Sequence, residues 1–338
     1  MIKKILKNFY LKTNKKHYDE NHLGTFSFWR LFFYNIFLPG RTINRIKFNQ
    51  IKKNSSKIIE SFSKMKFKEN NNCSKKELTN ALDNLIKQGG CVIPNYFSSK
   101  KIDEFLDDNN ELIKKMRDYK SDQISYKIEI VKLSKKLVEL WLDENLINLI
   151  KSFLSTNIFA RNYPYLYYTY VPSTLNKDKI LNSKAASSWH VDHSVLFNLH
   201  ILLDDIKEDE TCMEILPRSH KSLNIASLYS ESVINKFSQE RIKCFGSKGT
   251  VYMHTGNVVH RLKPVAGKNR LNLHFEFSPG SNILLDIDNI SKTLNSNFDL
   301  NNLNDEKRDI LKVIFPKKEL KGYEIKKDKI YPTKFLGI

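Results

Sequence analysis

The sequence predicts a mainly β protein, a sandwich or barrel with flanking helices, and three observations predict it. From Ile158 onward, short aromatic and β-branched runs recur between turns: FARNYPYLYYTYV, SVLFNLHILL, CMEILP, GTVYMHT, NVVHRL and LNLHFEF. Before them the chain carries apolar residues at helical spacing. The 338 residues are 41 % hydrophobic, with 21 Phe and 15 Tyr, enough for a sizeable core and too aromatic for wholesale disorder.

The elements follow in order. FSFWRLFFYNIFL (26–38) places Ser27, Arg30 and Tyr34 on one narrow polar stripe, so this helix either packs on the main domain or lies in a membrane interface. It is too short to span a bilayer, and no cleavable signal peptide is expected. Residues 41–80 read as a Lys/Asn/Ser-rich connector. ELTNALDNLIK (77–87) sets Leu78, Leu82, Leu85 and Ile86 on one face, and Gly89-Gly90 ends the helix. CVIP (91–94) reads as a strand. The next helix carries Ile102, Phe105 and Leu106, capped by Ser98 or Ser99. Residues 110–155 read as continuing helical, and after Pro279-Gly280 the chain reads as polar and helical.

Net charge is +19, from 56 Lys+Arg against 37 Asp+Glu. Residues 1–60 hold thirteen Lys/Arg and three Asp/Glu, so +10 of it is local. With no recognition helix or base-stacking strand beside the charge, no nucleic-acid partner is expected. Cys73, Cys91, Cys212 and Cys244 lie far apart with no C-x-x-C pair, which points to a reducing, cytoplasmic setting, at most peripheral to a membrane through 26–38.

The chemistry begins at Trp189-His190-Val191-Asp192. On an extended backbone His190 and Asp192 point to one side and can share a metal. About seventy residues on, GTVYMHTGNVVHRLKPVAGKNRLNLHF supplies His260 and, ten residues later, Arg270. The turn-forming stretch Pro264 to Asn269 predicts a hairpin with His260 and Arg270 on adjacent strands. Two His and one carboxylate on one face of an octahedral ion leave three open positions, the pattern of non-haem Fe(II) oxygenases. A guanidinium behind the metal would clasp the far carboxylate of 2-oxoglutarate. His254 is the rival distal ligand; spacing to Arg270 favours His260. Tyr167 and Thr169 alternate on the strand before the motif and either line the same pocket or belong to the core. His193, His220 and His274 read as structural or as partners of a ligand's second nitrogen.

The sequence resembles the phytanoyl-CoA dioxygenase-like branch of the Fe(II)/2-oxoglutarate-dependent oxygenases from about Glu77 to Pro279. The residues that carry the resemblance are the helix–Gly–Gly–CVIPNYF–helix segment, WHVD, LLDDIKEDETCMEILPRSHK and GTVYMHTGNVVHRLKP…NR. It implies a double-stranded β-helix (jelly roll, cupin-like) core over 77–280. A basic, aromatic helical extension (1–76) would precede it and a polar, helical one (281–338) would follow. The resemblance carries the metal to His190, Asp192 and His260, and the 2-oxoglutarate carboxylate to Arg270. It turns His200, on the strand after WHVD, toward the cosubstrate; a satisfied core histidine is the other reading of that position. Cofactors would be Fe(II), 2-oxoglutarate and molecular oxygen. The reaction would be a dioxygenase hydroxylation of an aliphatic carbon in a small-molecule or lipid/glycan-linked substrate, releasing succinate and carbon dioxide. Asp192 favours hydroxylation, because related halogenases lack this carboxylate.

Three positions depart from the family's pattern: Arg218 where Gly is frequent, Arg261-Leu262 where Gly-Ser is frequent, and Thr211 where Gly is frequent. They remove no ligand and point to altered loops. The contrasting reading is a non-catalytic jelly roll that binds a glycan or lipid at a membrane surface; the intact His190, Asp192, His260 and Arg270 speak against it.

Overall fold

The computed structural model describes residues 51, 53–70, 72–118, 125–130, 134–160, 163–173, 188–192, 197–221, 228–229, 231–279, 303–311 and 330–332. The helix expected over 26–38 and His193 lie outside the described residues.

Helix α1 (Ser55–Lys64) falls in the segment expected to be a connector; it buries Phe62 against the rest of the helical layer. Helix α2 (Lys75–Gln88) starts in a capping box, in which the Ser74 side chain accepts from the Glu77 N–H and Glu77 accepts from the Ser74 N–H. It ends at Gly89, whose φ of 86° is left-handed; a Cβ there would sit 2.5 Å from the His220 ring. Strand β1 (Gly90–Ile93) follows, then α3 (Ser99–Asp108), capped by Ser98 as expected, and α4 (Asn110–Asp118).

Next the expectation of continuous helix fails. Residues 124–130, ISYKIEI, alternate apolar and polar, and they form strand β2 (Ser125–Glu129). Helices α5 (Lys135–Trp141) and α6 (Glu144–Leu154) then start on the side-chain caps of Ser134 and Asp143.

The remaining strands are β3 (Ile158–Ala160), β4 (Tyr165–Thr169), β5 (Trp189–His190), β6 (Phe197–Leu202), β7 (Cys212–Ile215), β8 (Leu228–Tyr229), β9 (Ile242–Cys244), β10 (Val251–Thr255), β11 (His260–Lys263) and β12 (Arg270–Pro279). Helix α7 (Glu231–Phe237) precedes β9, and α8 (Asp305–Leu311) and β13 (Ile330–Pro332) close the chain. β13 pairs with β2, so the C-terminal part is not purely helical.

The strands make two antiparallel sheets. One is eight-stranded, ordered β1-β10-β6-β12-β4-β2-β13 with β3 also on β12; the other is five-stranded, ordered β8-β5-β11-β7-β9. This is the jelly roll; its larger sheet is widened by β1 and β2, which precede the strand-rich part that starts at Ile158, and by β13, from beyond the expected 77–280 span. Strand β12 explains how it is layered. Its sequence RLNLHFEF alternates strictly, so Leu271, Leu273, Phe275 and Phe277 lie on one face and Arg270, Asn272, His274 and Glu276 on the other. The apolar face, with Leu199 and Ile201 of β6, packs on the helices; Trp141 stacks on Phe275 at 6.1 Å between centroids. The opposite face turns toward the smaller sheet. Between the sheets, Leu202 and Tyr252 meet Cys212, Ile215 and Cys244 in a second apolar cluster. All four cysteines are free and buried.

The expected 264–269 hairpin is a crossover. β11 belongs to the five-stranded sheet and β12 to the eight-stranded one, so His260 and Arg270 lie on different sheets rather than on adjacent strands of one. The turn chemistry was real: Val265 bridges Lys268, with Gly267 at φ 73°. Thr211 and Val171 hold the turn from either side; Val171 accepts from the Gly267 N–H (2.9 Å) and donates its own N–H to Asn269 Oδ1 (3.0 Å). The Thr211 hydroxyl accepts from the Val265 N–H (2.8 Å) and donates to the Lys268 carbonyl (2.5 Å), which ties the turn to the start of β7.

Candidate metal and cosubstrate site

His260 opens β11 directly opposite His190 at the end of β5. The two imidazole centroids are 4.3 Å apart, and Asp192 follows just past β5 with Oδ1 3.8 Å from His260 Nε2. One potential ligand atom from each of His190, Asp192 and His260 lies within 4.8 Å of the other two. Each histidine is oriented by its own backbone. His190 Nδ1 bonds the Ser188 carbonyl at 2.8 Å and His260 Nδ1 the Val258 carbonyl at 3.0 Å. Both rings therefore carry the proton on Nδ1 and turn the Nε2 lone pair to the cluster. Burial, and then the neighbouring His260, hold the His190 pKa below its ordinary value, which keeps the lone pair free at neutral pH.

The outer side of these strands is braced. Trp189 donates Nε1–H to Glu231 at 2.9 Å, and the Arg261 guanidinium lies 4.3 Å over the Trp189 ring while pairing with Glu214 (2.8 Å) and Glu231. Arg218, at φ 68°, pairs with Glu240. The two arginines among the three departures from the family's pattern thus pair with carboxylates.

The polar face of the larger sheet is organised in cross-strand rows. Next to the triad run His254, Asn198 and Glu276; then Tyr252, His200, His274 and Tyr165; then Leu202, Asn272 and Tyr167; and last Arg270 beside Thr169. In the second row the rings stack nearly parallel: His200 lies 4.5 Å from Tyr252 and 4.1 Å from His274. Burial drives the pKa values of both histidines down, His274 to about 3, so both are neutral.

The expected residues divide as follows. His190, Asp192 and His260 assemble. His254 does not join them, although its ring lies 4.3 Å from that of His260; its Nδ1 bonds the Thr255 carbonyl. His200 and Thr169 are buried on the polar face. Tyr167 is half-buried, edge-on to His274 at 5.4 Å, and burial pushes its phenol pKa up. His220 bonds the Ile86 carbonyl through Nε2 (3.4 Å), a structural role. Sequence reasoning missed Tyr252, Asn198 and Asn272. The signal was present as period-two polarity, in N-L-H on β6, Y-M-H on β10 and R-L-N-L-H on β12.

Residues 85–270, more than half of the chain, match the family model described as phytanoyl-CoA dioxygenase (PhyH). The chain belongs to the phytanoyl-CoA dioxygenase family. The matched span includes all four of His190, Asp192, His260 and Arg270. As a family member it is an Fe(II)- and 2-oxoglutarate-dependent oxygenase, an oxidoreductase that uses iron, 2-oxoglutarate and molecular oxygen. No curated protein sequence matches it. Solved structures similar to it include AviO1 from Streptomyces viridochromogenes Tue57 (18 % identity, 60 % of this chain, 95 % of that one, TM-score 0.46). Others are the epimerase SnoN from nogalamycin biosynthesis (14 %, 61 % and 84 %, 0.46) and EctD from S. alaskensis with 2-oxoglutarate and 5-hydroxyectoine (15 %, 64 % and 80 %, 0.46).

The residues present fit what this dioxygenase-family site requires. Two imidazole nitrogens and a carboxylate oxygen are a donor set for Fe(II). For an acidic cosubstrate the test is harsher. His200 Nε2, His274 Nδ1, Asn272 Oδ1 and Arg270 Nε are buried without a hydrogen-bond partner. Each such atom costs about 1–3 kcal/mol when left unpaired. Arg270 Nε–H and His200 Nε2–H are donors that an acid fills, while Asn272 Oδ1 and His274 Nδ1 are acceptors that take a hydroxyl or a water. No helix among the described residues is long and apolar enough to cross a membrane.

Proposed function

We propose that this phytanoyl-CoA dioxygenase-family enzyme hydroxylates an aliphatic carbon of a small-molecule or lipid/glycan-linked substrate, turning 2-oxoglutarate into succinate and carbon dioxide. The observation that carries the reading is Arg270. The residue is 3 % exposed, its side chain donates a 3.4 Å bond to the Tyr252 hydroxyl, and among the described residues no carboxylate pairs with it. A buried cation without an anion is strongly unfavourable, so the site is built to receive one.

In this reading His190, Asp192 and His260 hold the iron, which supplies the activation of oxygen. Arg270 binds the far carboxylate of 2-oxoglutarate as a fork, braced by Tyr252. The unpartnered His200 Nε2–H, on the row between the triad and Arg270, is a second donor for it, whereas His274 Nδ1 and Asn272 Oδ1 are acceptors and take a water or a hydroxyl instead; Thr169 and Tyr167 line the same face. The apolar cluster behind Tyr252 and Leu202 keeps water out, which strengthens each of these interactions. The aromatic segment 26–38, flanked by the basic residues of the N-terminal stretch, would carry such an enzyme to a membrane holding a lipid-linked substrate.

The test is a screen of small molecules and lipid-linked glycans with purified, iron-loaded protein under air. A true substrate raises succinate formation above the substrate-free rate and gains the mass of one oxygen atom. Failure of the protein to bind 2-oxoglutarate in calorimetry would overturn the proposal.

A further inference from the structure

We propose that Asn198 is a positioning residue for Asp192, itself held in orientation by His274, and that this relay makes Asp192 a one-oxygen ligand. The inference rests on the reading of Asp192 as a metal ligand and adds to it. Asn198 Nδ2 donates to Asp192 Oδ2 at 2.6 Å, and His274 Nε2 bonds Asn198 Oδ1 at 3.0 Å. Asp192 Oδ1, the oxygen left over, is the one 3.8 Å from His260 Nε2.

The chemistry of each link is directional. A free carboxylate can offer a metal one oxygen or two, and a second would occupy one of the three positions that cosubstrate and oxygen need. Tying up Oδ2 removes that option. An amide, however, has nearly the same shape either way round; flipped, Asn198 would set its carbonyl against the carboxylate. His274 decides the matter, because a neutral ring donating from Nε2 accepts only the carbonyl end. The ring cannot turn away, since it stacks on His200 at 4.1 Å and meets Tyr167 edge-on at 5.4 Å. Asn198 and His274 are both buried, so water does not compete for these bonds.

Titration of the metal-free protein with Co(II), followed by its visible absorption, tests the relay apart from turnover. Asn198→Leu is expected to weaken Co(II) binding about ten- to a hundredfold and to change the spectrum as the carboxylate alters its mode. His274→Phe keeps the stacked ring and is expected to give the same spectral change with a smaller loss. The double variant should be no weaker than Asn198→Leu alone, because both substitutions break one chain. Melting of the metal-free proteins confirms folding; if Asn198→Leu does not fold, the spectrum of His274→Phe carries the test. Wild-type affinity and spectrum in the variants, or strictly additive losses, would overturn the relay. Asp192→Ala run in parallel separates the two readings: undiminished Co(II) binding there overturns the ligand assignment and the relay with it. Loss there with none in Asn198→Leu overturns the relay alone.

Discussion

The His260 ring faces the His190 ring at 4.3 Å because the two residues are register partners on β11 and β5, and Asp192 closes the cluster from beyond the strand end. Two neutral donors need the one anion. Asp192→Ala is therefore expected to abolish substrate hydroxylation and to leave iron loosely held, with residual succinate formation uncoupled from product. Metal content after gel filtration and the ratio of product to succinate measure this; full coupled turnover in the variant would show that Asp192 is not a ligand.

Arg270→Lys keeps the charge and loses the fork. An ammonium makes one point contact where the guanidinium makes two parallel ones, so 2-oxoglutarate binding should weaken by about 1.5–3 kcal/mol, roughly ten- to a hundredfold. Iron affinity should stay at the wild-type value. Anaerobic calorimetry with each ligand in turn separates the two effects.

Stability without metal should fall in acid. His274 titrates near 6.5 in the unfolded chain and, through burial, at about 3 in the fold. Between those values the unfolded state binds more protons, so this stabilisation is complete above pH 6.5 and is lost as pH falls toward 3. His200 and His254, also pushed down by burial, act in the same direction. Denaturant midpoints of the metal-free protein from pH 7 to pH 4 should decline, and His274→Phe should flatten that decline.

Thr211→Val removes the hydroxyl bonds to Val265 and Lys268 and leaves those of Val171 to Gly267 and Asn269 in place. A loss of about 1–3 kcal/mol is expected, and because Arg270 begins where the crossover ends, the KM for 2-oxoglutarate should rise while iron binding holds. Melting and cosubstrate titration check the two halves. A lower melting point with unchanged KM would confine Thr211 to stability.

The residues at the heart of the site were legible because strand geometry is local: H-x-D needs only a period of two, and Gly89 and Ser98 announce their helix ends by chemistry within a few residues. What failed was non-local. The Val265–Lys268 turn reads as a hairpin in any window, and the contacts that hold it as a crossover come from far away in sequence, from the Thr211 hydroxyl and from Val171, which bonds Gly267 and Asn269. β2 hid inside a Lys-rich helical stretch, although ISYKIEI alternates throughout. Asn198 was invisible for a different reason: an Asn on a strand acquires meaning only from the Asp192 and His274 that the fold brings to its two ends.

Strand β12 is one stretch of backbone shared by two selective demands. Leu271, Leu273, Phe275 and Phe277 answer to the helices behind it, while Arg270, Asn272 and His274 answer to the chamber in front. Saturation mutagenesis along this strand would consequently sort its phenotypes by parity: odd positions would fail by loss of folded protein, and even positions by silence at normal abundance. The same alternation gives the enzyme separate routes for change, since a new cosubstrate pocket can be explored from 270, 272 and 274 without touching a residue that holds the helices on.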